Sequence, residues 1–211
     1  MKIKLITVCD DKSRASRLIK SLDKFCWDYE VIETPWQGFG TKILSTRDYL
    51  IANPDVDAIF FCDAYDVVVL GTIEEALSKL DTSKITFSTE KACWPDSSLD
   101  VYYDTSQHTP WQFLNSGLYY APRELFLALF TDNMPDYTTD DQLWFTKQYL
   151  FNQSSGIILD RQCNVFQSYS FIDDGEFGYE NGRVQNLKTS FTPVFIHGNG
   201  RTDMEVVYDL I

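Results

Sequence analysis

Two aspartates, Asp63 and Asp66, follow the largely apolar run Asp57 to Cys62 (DAIFFC). In open α/β sheets, ligands bind beyond the carboxyl ends of the strands. Two carboxylates at such a place can hold a divalent cation, and a cation there can bridge and neutralise a diphosphate. Tyr65 lies between them, placed to stack on a base. The same spacing also suits a solvated turn in which one aspartate caps the next element.

Four further groupings could do chemistry. His197-Gly198-Asn199-Gly200 comes straight after the strand-like Pro193-Val194-Phe195-Ile196. A histidine at a strand end, with two glycines beside it, suits a ligand that the backbone approaches closely; an ordinary turn explains it too. Asp140-Asp141 opens a helical pattern, where acids serve as caps or as carboxylates aimed into a sugar pocket. Glu90 and Trp94 sit in Ser88 to Pro95, and an exposed Trp can pack or stack on a sugar face. Asn115-Ser116 offers hydrogen bonds to sugar hydroxyls, or a strand-end turn. His108, the other histidine, lies in a polar loop and takes no role.

The elements that must position these groups alternate. Lys2–Val8, Tyr29–Glu33, Asp57–Cys62, Ile85–Ser88, Phe113–Tyr120, Ile157–Leu159 and Val194–Ile196 read as strands. Ser13–Phe25, Thr41–Ala52, Thr72–Leu80, Arg123–Phe130 and Asp140–Leu150 read as helices. Lys91 to Gln112 reads as loop, and Ser168 to Lys188 as a surface excursion. Strands alternating with helices predict an α/β sandwich with a mostly parallel sheet, formed by residues 1–211 as one domain.

Composition narrows the partners. Acidic residues outnumber basic ones 31 to 18, giving a net charge of −13. That argues against an electrostatic grip on nucleic acid or an anionic membrane, although a local groove can outweigh the mean, and it is compatible with a divalent cation. No apolar run approaches the roughly 18 residues of a membrane span. The opening MKIKLITVCDDKSR does not read as a signal peptide, so a cytoplasmic protein is expected. Cys9, Cys26, Cys62, Cys93 and Cys163 contain no CxxC pair and are expected to be free thiols. Nothing in the sequence sets an oligomeric state.

Six segments in order, FFCDAYDVVVL, FSTEKACWPD, FLNSGLYY, DDQLWFT, ILDRQCNVFQ and PVFIHGNG, resemble the glycosyltransferase domain of the procollagen lysyl hydroxylase and collagen galactosyl/glucosyltransferase family. LITVCDD and TPWQGFGTKI extend the resemblance over nearly the whole chain. The resemblance implies a GT-A fold, a Rossmann-like sandwich that binds a UDP-sugar and Mn2+ or another divalent cation. The family's metal triad would fall on Asp63, Asp66 and His197. Its uridine contacts would fall on Thr7, Val8 and Tyr65, with Trp36 near the nucleotide. Lys42 and Gly200 would face the diphosphate. Glu90, Trp94, Asn115, Asp140 and Asp141 would lie on the sugar side. The family's hydroxylase domains have no counterpart before Ile211, and without a secretory signal the chain is expected to be a stand-alone microbial or viral relative, in the host cytoplasm if virus-encoded.

The expected reaction moves a hexose or pentose from a UDP-sugar to a hydroxyl on a hydroxylysine-like protein, a glycan or a hydroxylated DNA base. Two other readings compete. A nucleotidyltransferase would open with a glycine-rich phosphate loop, and Val8 to Lys12 contains no glycine. A non-catalytic UDP-sugar-binding module would be expected to lose the metal acids, which are present here.

Overall fold

A computed structural model describes residues 1–104, 106, 109–131, 134–200 and 202–211. His108 lies outside the described residues.

Strand β1 (Ile3–Cys9) is almost wholly buried and pairs in parallel with β2 (Tyr29–Glu33) on one side and β3 (Ala58–Cys62) on the other. Between them run α1 (Ser16–Lys24), entered through a 3-10 turn that Asp11 caps, and α2 (Gly40–Ala52). A strand covered on both faces must be apolar throughout, and every residue of β3 is buried. After β4 (Val67–Val69), α3 (Ile73–Ser78) starts at Thr72, whose hydroxyl accepts from the Glu75 amide. Next come β5 (Ile85–Glu90), β6 (Phe113–Pro122), α4 (Arg123–Ala128), α5 (Asp141–Phe151) and β7 (Ile157–Leu159).

The main sheet has the order β2-β1-β3-β6-β5-β7. It is largely parallel, with β6 running opposite to both of its neighbours. Alternation along the strands feeds two apolar layers. Ile6, Ile59 and Phe61 pack with Ile43, Phe126 and Phe145, on the side of α2, α4 and α5. Leu5 and Phe60 pack with Leu18, Leu22 and Trp27 on the other side.

A second sheet sits on that other side. It consists of β4, β11 (Phe195–His197) and β8 (Phe166–Ser168), with β11 in the middle. Phe60 joins the two sheets, with its ring 5.6 Å from Phe195, 6.3 Å from Phe166 and edge-on to Trp27 at 5.2 Å. Truncating so buried an aromatic costs about 3–5 kcal/mol. This packing fixes the second sheet against the end of β3, and the site depends on that placement.

The strands and helices follow the sequence pattern to within a few residues, with four additions. Lys91 to Gln112 contains a 3-10 turn, Ser97–Tyr102. The short strands β4 and β8 complete the second sheet. Ser168 to Lys188 is more than a surface excursion: β9 (Phe177–Glu180) and β10 (Arg183–Asn186) form a hairpin, and Tyr169, Glu176 and Val184 are buried. A short helix α6 (Glu205–Tyr208) follows β11. The cysteines are all free, with Cys26 exposed and Cys93 half-buried. No helix among the described residues is long and apolar enough to cross a membrane.

Candidate active site

The two sheets meet where β3 and β11 end, beside the first half of β6. Asp63 follows β3, and its amide donates to the Gly117 carbonyl in β6 at 2.8 Å. Asp66 precedes β4, and His197 closes β11 opposite Val67. The Asp66 carbonyl accepts from the Gly198 amide at 2.7 Å. Ligand atoms of Asp63, Asp66 and His197 therefore lie within 4.8 Å of one another. His197 Nε2 stands 3.6 Å from Asp63 Oδ2 and 3.4 Å from Asp66 Oδ1.

Asn115 sets the histidine's orientation. Its Nδ2 donates to Glu90 Oε1 at 3.1 Å, so Oδ1 is the acceptor, 3.1 Å from His197 Nδ1. Gly117 N donates to the same Oδ1 at 3.0 Å. Nδ1 thus carries a proton, and Nε2 faces the two carboxylates. A metal-ligating histidine is commonly held this way, by a partner on its other nitrogen. Burial pulls the His197 pKa down, but Asp66 and Asp63 raise it above its ordinary value. Burial likewise pushes Asp66 up, and the neighbouring imidazole brings it down further, to below the usual carboxylate range.

Gly117 sits beneath this cluster. A Cβ there would lie 2.1 Å from His197 Cε1, 2.7 Å from Nδ1 and 2.8 Å from Asp63 Oδ2. Only a residue without a side chain lets β6 pass this close.

A buried polar network continues from the triad. Lys42 Nζ bridges Asp63 Oδ1 at 2.9 Å and Asp141 Oδ2 at 2.7 Å. Burial disfavours its charge, but the carboxylates of Asp141 and Asp63 reverse that and raise its pKa well above the ordinary lysine value. Ser116 Oγ also donates to Asp141 Oδ2, at 2.8 Å. Glu90 accepts from Asn115, Gln142 and Asn199. Burial raises the Glu90 pKa, an effect these donors moderate. The GFG turn that launches Lys42 is pinned to the loop ahead of α5: Gly40 N donates to the Tyr137 carbonyl at 3.1 Å, and a Cβ at Gly40 would meet the Asp136 carbonyl at 1.9 Å.

Two cavities open on either side of Asp63, Asp66 and Lys42, which line both. The larger is about 670 Å³ and takes in Glu90, Trp94, Asn115, Asp140, Asp141, His197 and Gly200. The smaller is about 280 Å³ and is lined by Val8, Arg14, Trp36 and Tyr65.

Most of the residues singled out in the sequence thus converge, with differences in detail. Thr7 is fully buried and lines neither cavity. The first strand reaches the cleft at Val8 instead, because alternation turns Thr7 inward. The Tyr65 hydroxyl is tied to Asp10 and accepts from the Asp11 amide at 3.1 Å, while the Arg14 guanidinium lies 4.1 Å from its ring centroid. Lys42 is held by two carboxylates rather than standing free. Asp140 caps α5, accepting from the Leu143 amide at 2.8 Å, and still lines the larger cavity. Gly200 has φ +73°, a left-handed conformation that suits glycine. The sequence reading passed over Gln142, which donates to Glu90 and to the Trp94 carbonyl. It also passed over Gly117, although a glycine inside a strand pattern signals close approach.

The two-sheet core with a cleft at the strand ends is the GT-A arrangement of glycosyltransferases. Two solved structures share it. A glycosyltransferase involved in glycosylation of the major capsid of PBCV-1 superposes with a TM-score of 0.55 at 10% identity, covering 99% of this chain and 98% of that one. An active-site mutant of LgtC gives a TM-score of 0.53 at 11% identity, covering 93% of this chain and 87% of that one.

The sequence places the chain more narrowly. The family model for the PLOD GT domain matches residues 1–208, and the chain belongs to that family of glycosyltransferase domains. It is 34% identical over 192 residues to a procollagen-lysine,2-oxoglutarate 5-dioxygenase of Drosophila melanogaster, covering 85% of this chain and 26% of that protein. It is also 34% identical over 167 residues to an uncharacterized protein of Acanthamoeba polyphaga mimivirus, covering 77% of this chain and 36% of that protein. The chain thus matches only about a quarter to a third of the length of these relatives.

Proposed function

We propose that the protein transfers a sugar from a UDP-sugar to a hydroxyl acceptor with the help of a divalent cation. The observation that carries this reading is the convergence of Asp63, Asp66 and His197 within 4.8 Å on the wall between two cavities. Two carboxylates and a neutral imidazole form a donor set for Mn2+ or a similar ion. The fit extends outward to Asn115, which frees Nε2, and to Gly117, which leaves room for the ring. Charge supports it as well: among the described residues of the larger cavity, five carboxylates face one lysine. When bound, the cation supplies Lewis-acid stabilisation of the negative charge on the departing diphosphate.

In this reading the smaller cavity takes the nucleoside, between Trp36 and Tyr65 and against Val8. The diphosphate lies over the shared wall, near Lys42 and Gly200. Lys42 screens Asp63 and Asp141 and keeps positive charge beside the phosphates. The sugar enters the larger cavity, where Glu90, Asn115 and Asp141 form a rigid polar wall and Asp140 and Trp94 face the opening. Asp141 is held by Lys42 and Ser116, so it is preorganised to orient a sugar rather than free to swing. The acceptor is a hydroxyl on a protein side chain such as hydroxylysine, on a glycan or on a hydroxylated DNA base.

The test is a donor screen. The protein is incubated with a panel of UDP-sugars, with manganese or with chelator, and released UDP is measured. Release from one donor that requires manganese supports the proposal. If UDP neither binds nor is released with manganese present, the proposal fails.

A further inference from the structure

The segment from Tyr169 to Glu176 runs along the larger cavity and takes no part in the assignments above. Its root is tied to the triad, since the Tyr169 amide donates to the His197 carbonyl at 2.7 Å. Its far end is clamped. Lys91 Nζ donates to Glu176 Oε1 at 2.7 Å and to the Phe171 carbonyl at 2.6 Å. Glu176 is almost fully buried, and its Oε2 accepts from the Asp173 amide at 3.0 Å.

Two features of this strap stand out. Phe171 has φ +52°, a left-handed conformation that is costly for a bulky residue. The residue is nonetheless 69% exposed, so burying the ring in a core does not compensate the strain. Beside it, Ser170 is 6% exposed and lines the cavity, yet its buried Oγ has no hydrogen-bond partner. Backbone strain and orphaned polar groups both cluster where a ligand completes the site. Trp94, 65% exposed, lines the same cavity and supplies a second aromatic face.

Resting on the proposed function, we propose that Phe171 and Ser170 form an acceptor subsite that takes a pyranose ring. Phe171 would stack on the apolar face of the ring, and Ser170 Oγ, turned into the cavity by a rotation about χ1, would hydrogen-bond one of its hydroxyls. The location favours acceptor over donor. Phe171 and Ser170 line only the larger cavity, whereas the smaller one holds the aromatic pair suited to a base. Phe171 is also largely exposed, so its ring is open to a molecule entering from solvent. Of the hydroxyl acceptors above, the subsite selects a glycan, because an aromatic face beside a lone hydroxyl matches a sugar ring better than a flexible amine-bearing chain.

The test uses the whole chain and a panel of methyl pyranosides (gluco, galacto, manno and xylo), titrated by saturation-transfer NMR with and without UDP and manganese. Saturable binding of at least one glycoside is expected. Phe171→Gly should weaken it about three- to tenfold, the scale of one lost aromatic contact, and Phe171→Trp should retain it. Ser170→Ala should weaken it as well. Relief of the left-handed strain should also make Phe171→Gly melt about 2–4 °C higher than wild type. Absence of glycoside binding, or equal binding by wild type and Phe171→Gly, would overturn the proposal. A lower melting temperature for Phe171→Gly would also overturn it, by showing that the ring serves the fold. Failure of wild type to bind UDP would sink the nucleotide reading and leave the glycoside result legible by itself.

Discussion

Gly117→Ala should disable the site through a single methyl group. The new Cβ would lie 2.1 Å from His197 Cε1, where ordinary contact begins near 3.4 Å, so the ring or the strand must retreat by about 1.3 Å. His197 cannot retreat easily. It is 3% exposed, held by Asn115 at Nδ1 and packed between β4 and β8 in the second sheet. Asp63 Oδ2 meets the same methyl at 2.8 Å, so two of the three candidate ligands are pushed at once. Metal sites tolerate errors of about 0.2 Å in ligand position, and indirect disturbances alone cost about 10–100-fold in affinity. A loss of Mn2+ affinity of at least about 100-fold is therefore expected. Overpacking should also cost about 1–3 kcal/mol, or about 2–12 °C in melting temperature. Gly178→Ala is the control, because its Cβ would meet nothing closer than 3.5 Å. Manganese titration by calorimetry, alongside thermal melts, reads both effects. If Gly117→Ala bound manganese as tightly as wild type while still folded, the geometric reasoning would be refuted.

Three other outcomes are expected. Asn115→Ala should lower Mn2+ affinity about 10–100-fold in the same titration, because His197 loses the acceptor that fixes its tautomer; unchanged affinity would remove Asn115 from that role. Lys42→Met should cost about 3 kcal/mol, or about 6–12 °C, by leaving the buried Asp141 without its ion-pair partner, and an unchanged melt would show that Lys42 is dispensable to the fold. Burial raises the Glu75 carboxyl, but Arg183 and Lys79 hold it below its ordinary 4.5, so its stabilising contribution is present above that value and disappears as pH falls through the folded one. Wild type should therefore lose melting temperature between about pH 5 and pH 3 more steeply than Glu75→Gln, and parallel profiles would contradict the assignment.

What the sequence discloses follows from how local each signal is. The run into Asp63 is legible because a strand buried on both faces is continuously apolar and the carboxylates break it abruptly. α5 is legible for a similar reason: Asp140 is a favourable cap just ahead of the helical pattern, and the structure uses it as one. The second sheet is less visible. β11 shows as the apolar run ahead of His197, but β4 and β8 are three residues each, too short for any periodicity to accumulate. The β9–β10 hairpin left a readable sign that went unused. Asn181-Gly182 links the strands with φ +51° and +71°, matching the two-residue turn that such a dipeptide favours. The second layer of the site is the least legible. The contacts of Gln142 with Glu90 and Trp94, and the bridge from Lys42 to Asp141, join residues far apart in the chain, and no local pattern encodes them. Thr7 shows the converse limit: a motif can deliver a strand end to the cleft and still leave open which of two adjacent residues faces it.

Calorimetric titration of UDP, first with manganese and then with chelator, asks whether this cleft couples a divalent cation to a uridine diphosphate. If Asp63, Asp66 and His197 hold the ion beside the phosphates, manganese should tighten UDP binding roughly 10- to 100-fold, and Asp66→Ala should abolish the gain. Equal UDP affinity in manganese and in chelator would show that the cleft does not use a cation to hold the diphosphate.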